Sequence, residues 1–285
     1  MNKTIKHNVK DKPLMFMSSL LAVILIISSC SNDETQTVTT FEKLVMADEF
    51  DTDGALNNEI WSYDIGNGSD TQAGAGWGNN ELQYYTDRSE NATVQNGVLI
   101  ITAREEAYNG SQYTSARIVS KVAQTYGRYE ASIRLPYGQG LWPAFWLLGD
   151  NCGPAVVWPE CGEIDIMEYR GQEPTIVHGT VHGNGYSGGE GITKSYSLIN
   201  DRFDTGFHVF GIEWAPDYIN FYVDDVLYNQ ITPSDVPGEW AFDHPFNIII
   251  NLAVGGNYLG SPNNETVFPQ TMLVDYVRVY ENQYK

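Results

Sequence analysis

Short strand-like segments recur along this 285-residue chain, and no long helical period of apolar residues interrupts them. Residues 98–103, Val-Leu-Ile-Ile-Thr-Ala, are the run of a buried strand. In residues 128–135, Arg-Tyr-Glu-Ala-Ser-Ile-Arg-Leu, polar and apolar side chains alternate, as on a strand with one wet face. Residues 208–214, 246–254 and 271–280 also read as strands. Residues 218–223 and 226–231 flank Asp224-Asp225, which predicts a two-residue hairpin. Short strands joined by Gly- and Asn-rich turns bury their apolar faces by stacking two sheets. The expected fold is therefore all-β, an antiparallel sandwich of the jelly-roll type. The 18 Tyr, 11 Phe and 7 Trp suit such pleated surfaces.

The N-terminus reads differently. Residues 1–13 carry Lys3, Lys6, Lys10 and Lys12, and residues 14–27 are mostly apolar. The stretch ends Ile27-Ser28-Ser29-Cys30. A basic region, a short apolar region and small residues at the cut define a signal peptide over residues 1–29. An apolar run of about 14 residues is short for a spanning helix, which needs ~20. A Cys directly after the small residues resembles the lipobox of bacterial lipoproteins, in which that Cys, here Cys30, becomes the first residue and carries the lipid. Residues 31–41 are polar and unpatterned, and read as a tether that follows the lipidated Cys30. Asp33-Glu34, just after Cys30, resembles a signal that sends some lipoproteins to the cell surface. The expected location is the bacterial outer membrane, with the anchor as the only membrane contact.

The chain holds 36 acidic and 16 basic residues, a formal charge of −20. Removal of residues 1–29 takes away four Lys and one Asp, so the exported chain carries about −23. Such a surface repels polyphosphates and anionic membranes, which excludes nucleic acid as an expected partner. It has no quarrel with a neutral glycan, and Tyr and Trp suit one, since aromatic faces stack on pyranose rings. With Cys30 lipidated, Cys152 and Cys161 remain, around a Pro-rich loop. In an exported protein this pair predicts a loop-closing disulfide. A zinc site would need further Cys or His close by.

The strongest chemical signal is Gly162-Glu163-Ile164-Asp165-Ile166-Met167-Glu168-Tyr169, three acids within one apolar strand-like segment. In a regular strand Glu163 and Asp165 share a face, and Glu168 points the other way. One extra residue, a β-bulge near Ile166-Met167, returns Glu168 to their face. Glu163 and Glu168 would then be four ladder steps apart, roughly 13 Å. Two glutamates leaning towards each other by ~4 Å each leave about 5 Å between carboxyls. That spacing suits a retaining glycosidase better than an inverting one. Crowded carboxyls raise one another's pKa, which suits a division of labour between a nucleophile and a protonated general acid. Asp165 between them is placed to hydrogen-bond the nucleophile.

At these residues the chain resembles glycoside hydrolase family 16, whose laminarinase-like members carry Glu-x-Asp-x-x-Glu on a bulged strand. The similarity runs from about Phe41 to Glu281. It includes 76–86 (Gly-Trp-Gly-Asn-Asn-Glu-Leu-Gln-Tyr-Tyr-Thr), 113–118, 140–148 (Gly-Leu-Trp-Pro-Ala-Phe-Trp-Leu-Leu), 178–183, 186–189, 251–256 and 274–280. The resemblance implies a jelly-roll catalytic domain over residues 42–285, with a glycan cleft across its concave sheet. It implies Glu163 as nucleophile, Glu168 as acid/base and Asp165 as the assisting acid. Trp142 and Trp146 would be stacking platforms, and Arg117, Asn79 and Glu81 would hydrogen-bond sugars on the non-reducing side. Asn251 would also touch substrate, and His182 would lie near the acid/base. His208 and His244 read as structural. The implied partner is β-glucan, laminarin-type or mixed-linkage, cut by a monomer with no catalytic cofactor. A structural Ca²⁺ would be held by Glu49, the Gly97 backbone oxygen and Asp275. One departure is Tyr258, where many relatives have Trp.

Two other classes stay open from sequence. A non-catalytic glycan-binding surface protein on the same sandwich would be expected to lack one of the three acids. A transglycosylase, or a hydrolase of another polysaccharide, would keep the acids behind different cleft walls.

Overall fold

The computed structural model describes residues 43–281, so the signal peptide, Cys30 and the tether lie outside the described residues. Seventeen strands run in chain order. They are β1 (Leu44–Asp48), β2 (Trp61–Tyr63), β3 (Gln83–Tyr85), β4 (Ala92–Gln95), β5 (Val98–Tyr108), β6 (Ser111–Ser115), β7 (Arg117–Gln124), β8 (Gly127–Arg134) and β9 (Leu141–Gly149). Then come β10 (Glu163–Tyr169), β11 (Ile176–His182), β12 (Ile192–Ser197), β13 (His208–Ala215), β14 (Tyr218–Val223), β15 (Val226–Ile231), β16 (Phe246–Val254) and β17 (Gln270–Tyr280). One short 3-10 turn spans Gly188–Glu190.

Two sheets form. A ten-stranded sheet runs β15-β14-β13-β8-β17-β5-β6-β3, with β1 added on β17 and β4 on β5. A seven-stranded sheet runs β12-β11-β10-β9-β16-β7-β2. The pairings are antiparallel except β3 with β6. This is the expected jelly-roll sandwich. The Asp224-Asp225 hairpin is present, both residues having positive φ (48° and 62°) as a type I′ turn requires.

The core lies between the sheets. Leu99, Ile101, Ile133, Phe210, Ile212, Trp214 and Val274 from one side meet Phe145, Leu147, Ile164, Ile250 and Leu252 from the other. Each such side chain contributes about 1.5–3 kcal/mol on burial. β16 is buried on both faces: Ile248, Ile250 and Leu252 enter the core, while Ile249, Asn251 and Ala253 are covered on the other side. That double burial explains its nearly unbroken apolar sequence.

Residues 183–196, rich in Gly, are partly strand. β12 pairs with β11 over Ile192–Ser197. Its Ile-Thr-Lys-Ser-Tyr-Ser sequence sits at a sheet edge and buries nothing fully, so no apolar alternation announces it.

Candidate active site

The three acids stand on β10, and the register shows how. Against β11, Glu163 pairs with His182, Asp165 with Thr180 and Glu168 with His178. Three residues of β10 thus span two of β11 between Asp165 and Glu168. Against β9 the same slip falls between Asp165 and Met167. The bulge sits where the sequence placed it. Ile166 and Met167 both turn into the core, 1% and 0% exposed, and Glu168 comes round to the face of Glu163 and Asp165. Measured along β11, the two glutamates are four residues apart, roughly 13 Å between backbones.

The side chains differ in their partners. Glu168 Oε1 accepts from Trp142 Nε1 at 3.1 Å, and Oε2 from the Thr180 hydroxyl at 3.5 Å. Burial pushes the Glu168 carboxyl up to about 7; the positive His182 opposes this and Glu163 adds to it. Asp165 is 3% exposed, and burial with the two flanking glutamates holds it well above the usual carboxylate range. His182 Nε2 lies 3.1 Å from Asp165 Oδ2 and 3.8 Å from Glu163 Oε1. Burial disfavours its charge, yet Asp165 outweighs this, helped by Glu163 and Glu168, and raises it to about 9. His182 was expected beside the acid/base. It stands across the ladder from Glu163, against Asp165, and its charge also acts on Glu168; the residue across the ladder from Glu168 is His178.

The aromatic and polar residues fall into two groups. On the Glu168 side, Trp142 lies 4.9 Å from Tyr258, ring to ring, and Arg170 stacks on Tyr258 at 4.1 Å. Tyr258 thus takes part in the aromatic wall in place of the usual Trp. On the other side, Arg117 lies over both Trp77 and Trp146, at 4.6 and 4.9 Å, and pairs with Asp64 at 2.8 Å. A hollow of about 220 Å³, lined by Asp64, Arg117, Val119, Leu148, Asn247 and Ile249 among others, adjoins this group.

Two expected sugar contacts are engaged internally. Asn251 is 7% exposed, accepts from Trp146 Nε1 at 2.7 Å and donates to the Tyr85 hydroxyl at 3.1 Å. Each end of its amide thus makes one internal bond, and through them Asn251 orients Trp146. Glu81 accepts from Asn79, Gln83 and Tyr85, and burial raises its pKa. It braces the wall that carries Asn79. His208 and His244 are structural, bonded to Asp224 and to the Cys161 carbonyl.

Sequence reading missed Trp158. Its indole N–H donates to Glu163 Oε2 at 2.8 Å. A signal was present: Trp158 precedes a Pro, five residues before Glu163, inside the Cys pair. Those cysteines form the expected disulfide, with Cα atoms 5.1 Å apart. His178 was also missed, although residues 178, 180 and 182 share one strand face. Its Nδ1 contacts the Ser195 hydroxyl at 2.9 Å, and burial lowers its pKa, as does Arg170.

For a metal, the groups with ligating chemistry among the described residues are Glu163, Asp165 and His182, whose ligating atoms lie within 4.8 Å of one another. Here the imidazolium itself supplies the positive charge. The calcium set implied by resemblance does not fit as given. Arg278 donates to both Glu49 oxygens, at 2.7 and 2.8 Å. That bidentate pair engages with an arginine the carboxylate that the set assigns to the cation.

Residues 77–278 match the family described as glycosyl hydrolases family 16. The chain belongs to this family. It is 44% identical to a β-glucanase of Rhodothermus marinus, over 95% of this chain and 96% of that protein. The solved catalytic domain of an endo-1,3-β-glucanase (laminarinase) from Thermotoga petrophila superimposes with a TM-score of 0.80 at 47% identity, covering 85% of this chain and 98% of that one. An endo-β-1,3-glucanase from Pyrococcus furiosus gives 0.79 at 49% identity, covering 84% and 94%. This family 16 chain is a glycoside hydrolase, and hydrolysis of that type needs no catalytic cofactor.

Proposed function

We propose that this enzyme is a retaining endo-hydrolase of β-glucan, with laminarin-type β-1,3-glucan as its main substrate and mixed-linkage β-1,3-1,4-glucan as a second. The observation that carries the reading is the bulged β10, which sets Glu163 and Glu168 on one face while burial holds a proton on Glu168 near neutral pH. The backbone separation of roughly 13 Å, less two inward-leaning side chains, leaves the ~5 Å that a retaining pair uses.

In the first step Glu163 Oε1 attacks the anomeric carbon. The glycosidic bond breaks, and the Glu168 proton goes to the departing oxygen. In the second, Glu168 takes a proton from water, the water oxygen bonds to the anomeric carbon, and the bond to Glu163 breaks with net retention. His182 and Asp165, 3.1 Å apart, hold a polar pair fixed beside the nucleophile, which costs no reorganisation during reaction. Trp142, Trp146 and Tyr258 offer aromatic faces to successive sugars.

The test is hydrolysis of laminarin and of barley mixed-linkage glucan by the purified protein, with products resolved by chromatography and the first-formed anomer read by NMR. A ladder of oligosaccharides with β-anomers first is expected. An α-anomer first, or no product from folded protein, overturns the reading.

We also propose export and lipid anchoring through Cys30, supported by the basic, apolar and small-residue order of residues 1–30. Metabolic labelling with palmitate should mark the wild-type protein and not Cys30→Ser; equal labelling of both would sink the proposal.

A further inference from the structure

The nucleophile's two oxygens have different surroundings. Glu163 Oε2 accepts a 2.8 Å hydrogen bond from the Trp158 indole, while Oε1 faces His182 Nε2 at 3.8 Å, beyond hydrogen-bond reach. Trp158 is 45% exposed, an unusual setting for the largest side chain, and its ring centre lies 6.1 Å from that of His182. It therefore stands at the open edge of the site, yet touches the reacting group.

Its loop is held firmly at the base. Cys152 and Cys161 close it, and Cys161 is fully buried. The Cys161 carbonyl contacts the His244 ring at 3.1 Å, and a Cβ added at Gly149 would meet that carbonyl oxygen at 2.0 Å. Gly162, at φ 73°, then turns the chain into β10. The disulfide thus couples the base of the Trp158 loop to the strand end that carries Glu163.

We propose that Trp158 is a positioning residue for the nucleophile, held in place by the Cys152–Cys161 bridge, and that it favours release of the glycosyl-enzyme. The inference rests on the retaining mechanism above. An indole N–H is a neutral donor with no acceptor, so it cannot take a proton from any partner. By engaging Oε2 it leaves Oε1 as the attacking atom. When the anomeric carbon–Oε1 bond forms, Oε2 becomes the ester carbonyl and accepts more weakly. When water attacks the anomeric carbon, that bond breaks and its electron pair returns to the carboxylate. The hydrogen bond regains full strength at that moment, so it stabilises the leaving carboxylate.

The test is burst kinetics with a dinitrophenyl β-laminaribioside, with intact-mass spectrometry of the quenched enzyme. Trp158→Phe keeps a ring and removes the donor. Its kcat should fall roughly tenfold to a hundredfold, the scale of one hydrogen bond to a charged group. KM should fall with it, and the mass of the glycosyl-enzyme should accumulate. Trp158→His, which retains an N–H, should recover part of kcat. Cys152→Ser/Cys161→Ser should repeat the Phe pattern. A raised KM with unchanged kcat would make Trp158 a sugar platform only and overturn the inference, as would a Phe variant with no accumulated intermediate. A wild-type-like double Ser variant would overturn the part assigned to the disulfide. The wild-type enzyme's first-formed anomer, measured alongside, separates these outcomes from failure of the retaining mechanism itself.

Discussion

At the scale of single residues the site is a set of shared protons. In the proposed mechanism Glu168 donates in the first step, so activity requires its protonated form, and kcat/KM should decline as pH rises through about 7. The positive His182 lowers the Glu168 pKa. His182→Gln should therefore move that alkaline limb to higher pH, as a pH–rate profile would reveal. The same group carries a stability cost. An ordinary glutamate titrates near 4.5 and Glu168 is held near 7 in the fold, so the folded state binds more protons than the unfolded one across that window. The cost is absent below about 4.5 and reaches its full size as pH rises through 7. Glu168→Gln should be more thermally stable than wild type at pH 8, with the gap closing at pH 4, by scanning calorimetry. Glu163→Gln should abolish turnover while leaving laminari-oligosaccharide binding intact by calorimetry.

At the scale of elements, β10 decides function by one extra residue. Deleting Ile166 would restore a regular ladder in which Glu168, then four positions after Glu163, keeps the face of Glu163 and Asp165, and would remove one of two adjacent core side chains. The variant should show a lower melting temperature, because a buried apolar side chain is lost beside Phe145 and Leu147, while both glutamates stay on one face. Where β10 and β9 organise the acids, β16 supports the sugar platform from beneath. Asn251→Ala leaves the Trp146 indole and the Tyr85 hydroxyl without their partner. It should destabilise the protein by about 1–3 kcal/mol and raise KM more than it lowers kcat, by denaturant melts and steady-state kinetics.

At the scale of the whole molecule, the charge balance sets which glycans can approach. Its formal charge of −20 repels sulfated polymers and is indifferent to neutral glucan. The kcat/KM on laminarin should change by less than about twofold between low salt and 0.5 M NaCl, since screening has little attraction or repulsion to remove. The sandwich also explains why the site is on the seven-stranded sheet. Its core side is filled by Leu147, Ile164, Ile250 and their neighbours, leaving Trp146, Asp165 and Asn251 on the opposite face.

The amino-acid sequence by itself determined the all-β class, most strand positions, the hairpin at Asp224-Asp225, the loop cysteines and the three acids. Each of these is local, carried by a two-residue period, by turn chemistry or by a motif a few residues long. Even the bulge was legible, because only one extra residue lets three acids in one apolar strand share a face. What tertiary structure decided is pairing across the ladder. Nothing near His182 in the chain says that it stands opposite Glu163, fourteen strand-and-loop residues after Glu168. The internal roles of Asn251 and Glu81, the Arg278 clamp on Glu49 and the reach of Trp158 to the nucleophile all join residues through space. A side chain's type announces what it can bind, while the fold decides which partner arrives first.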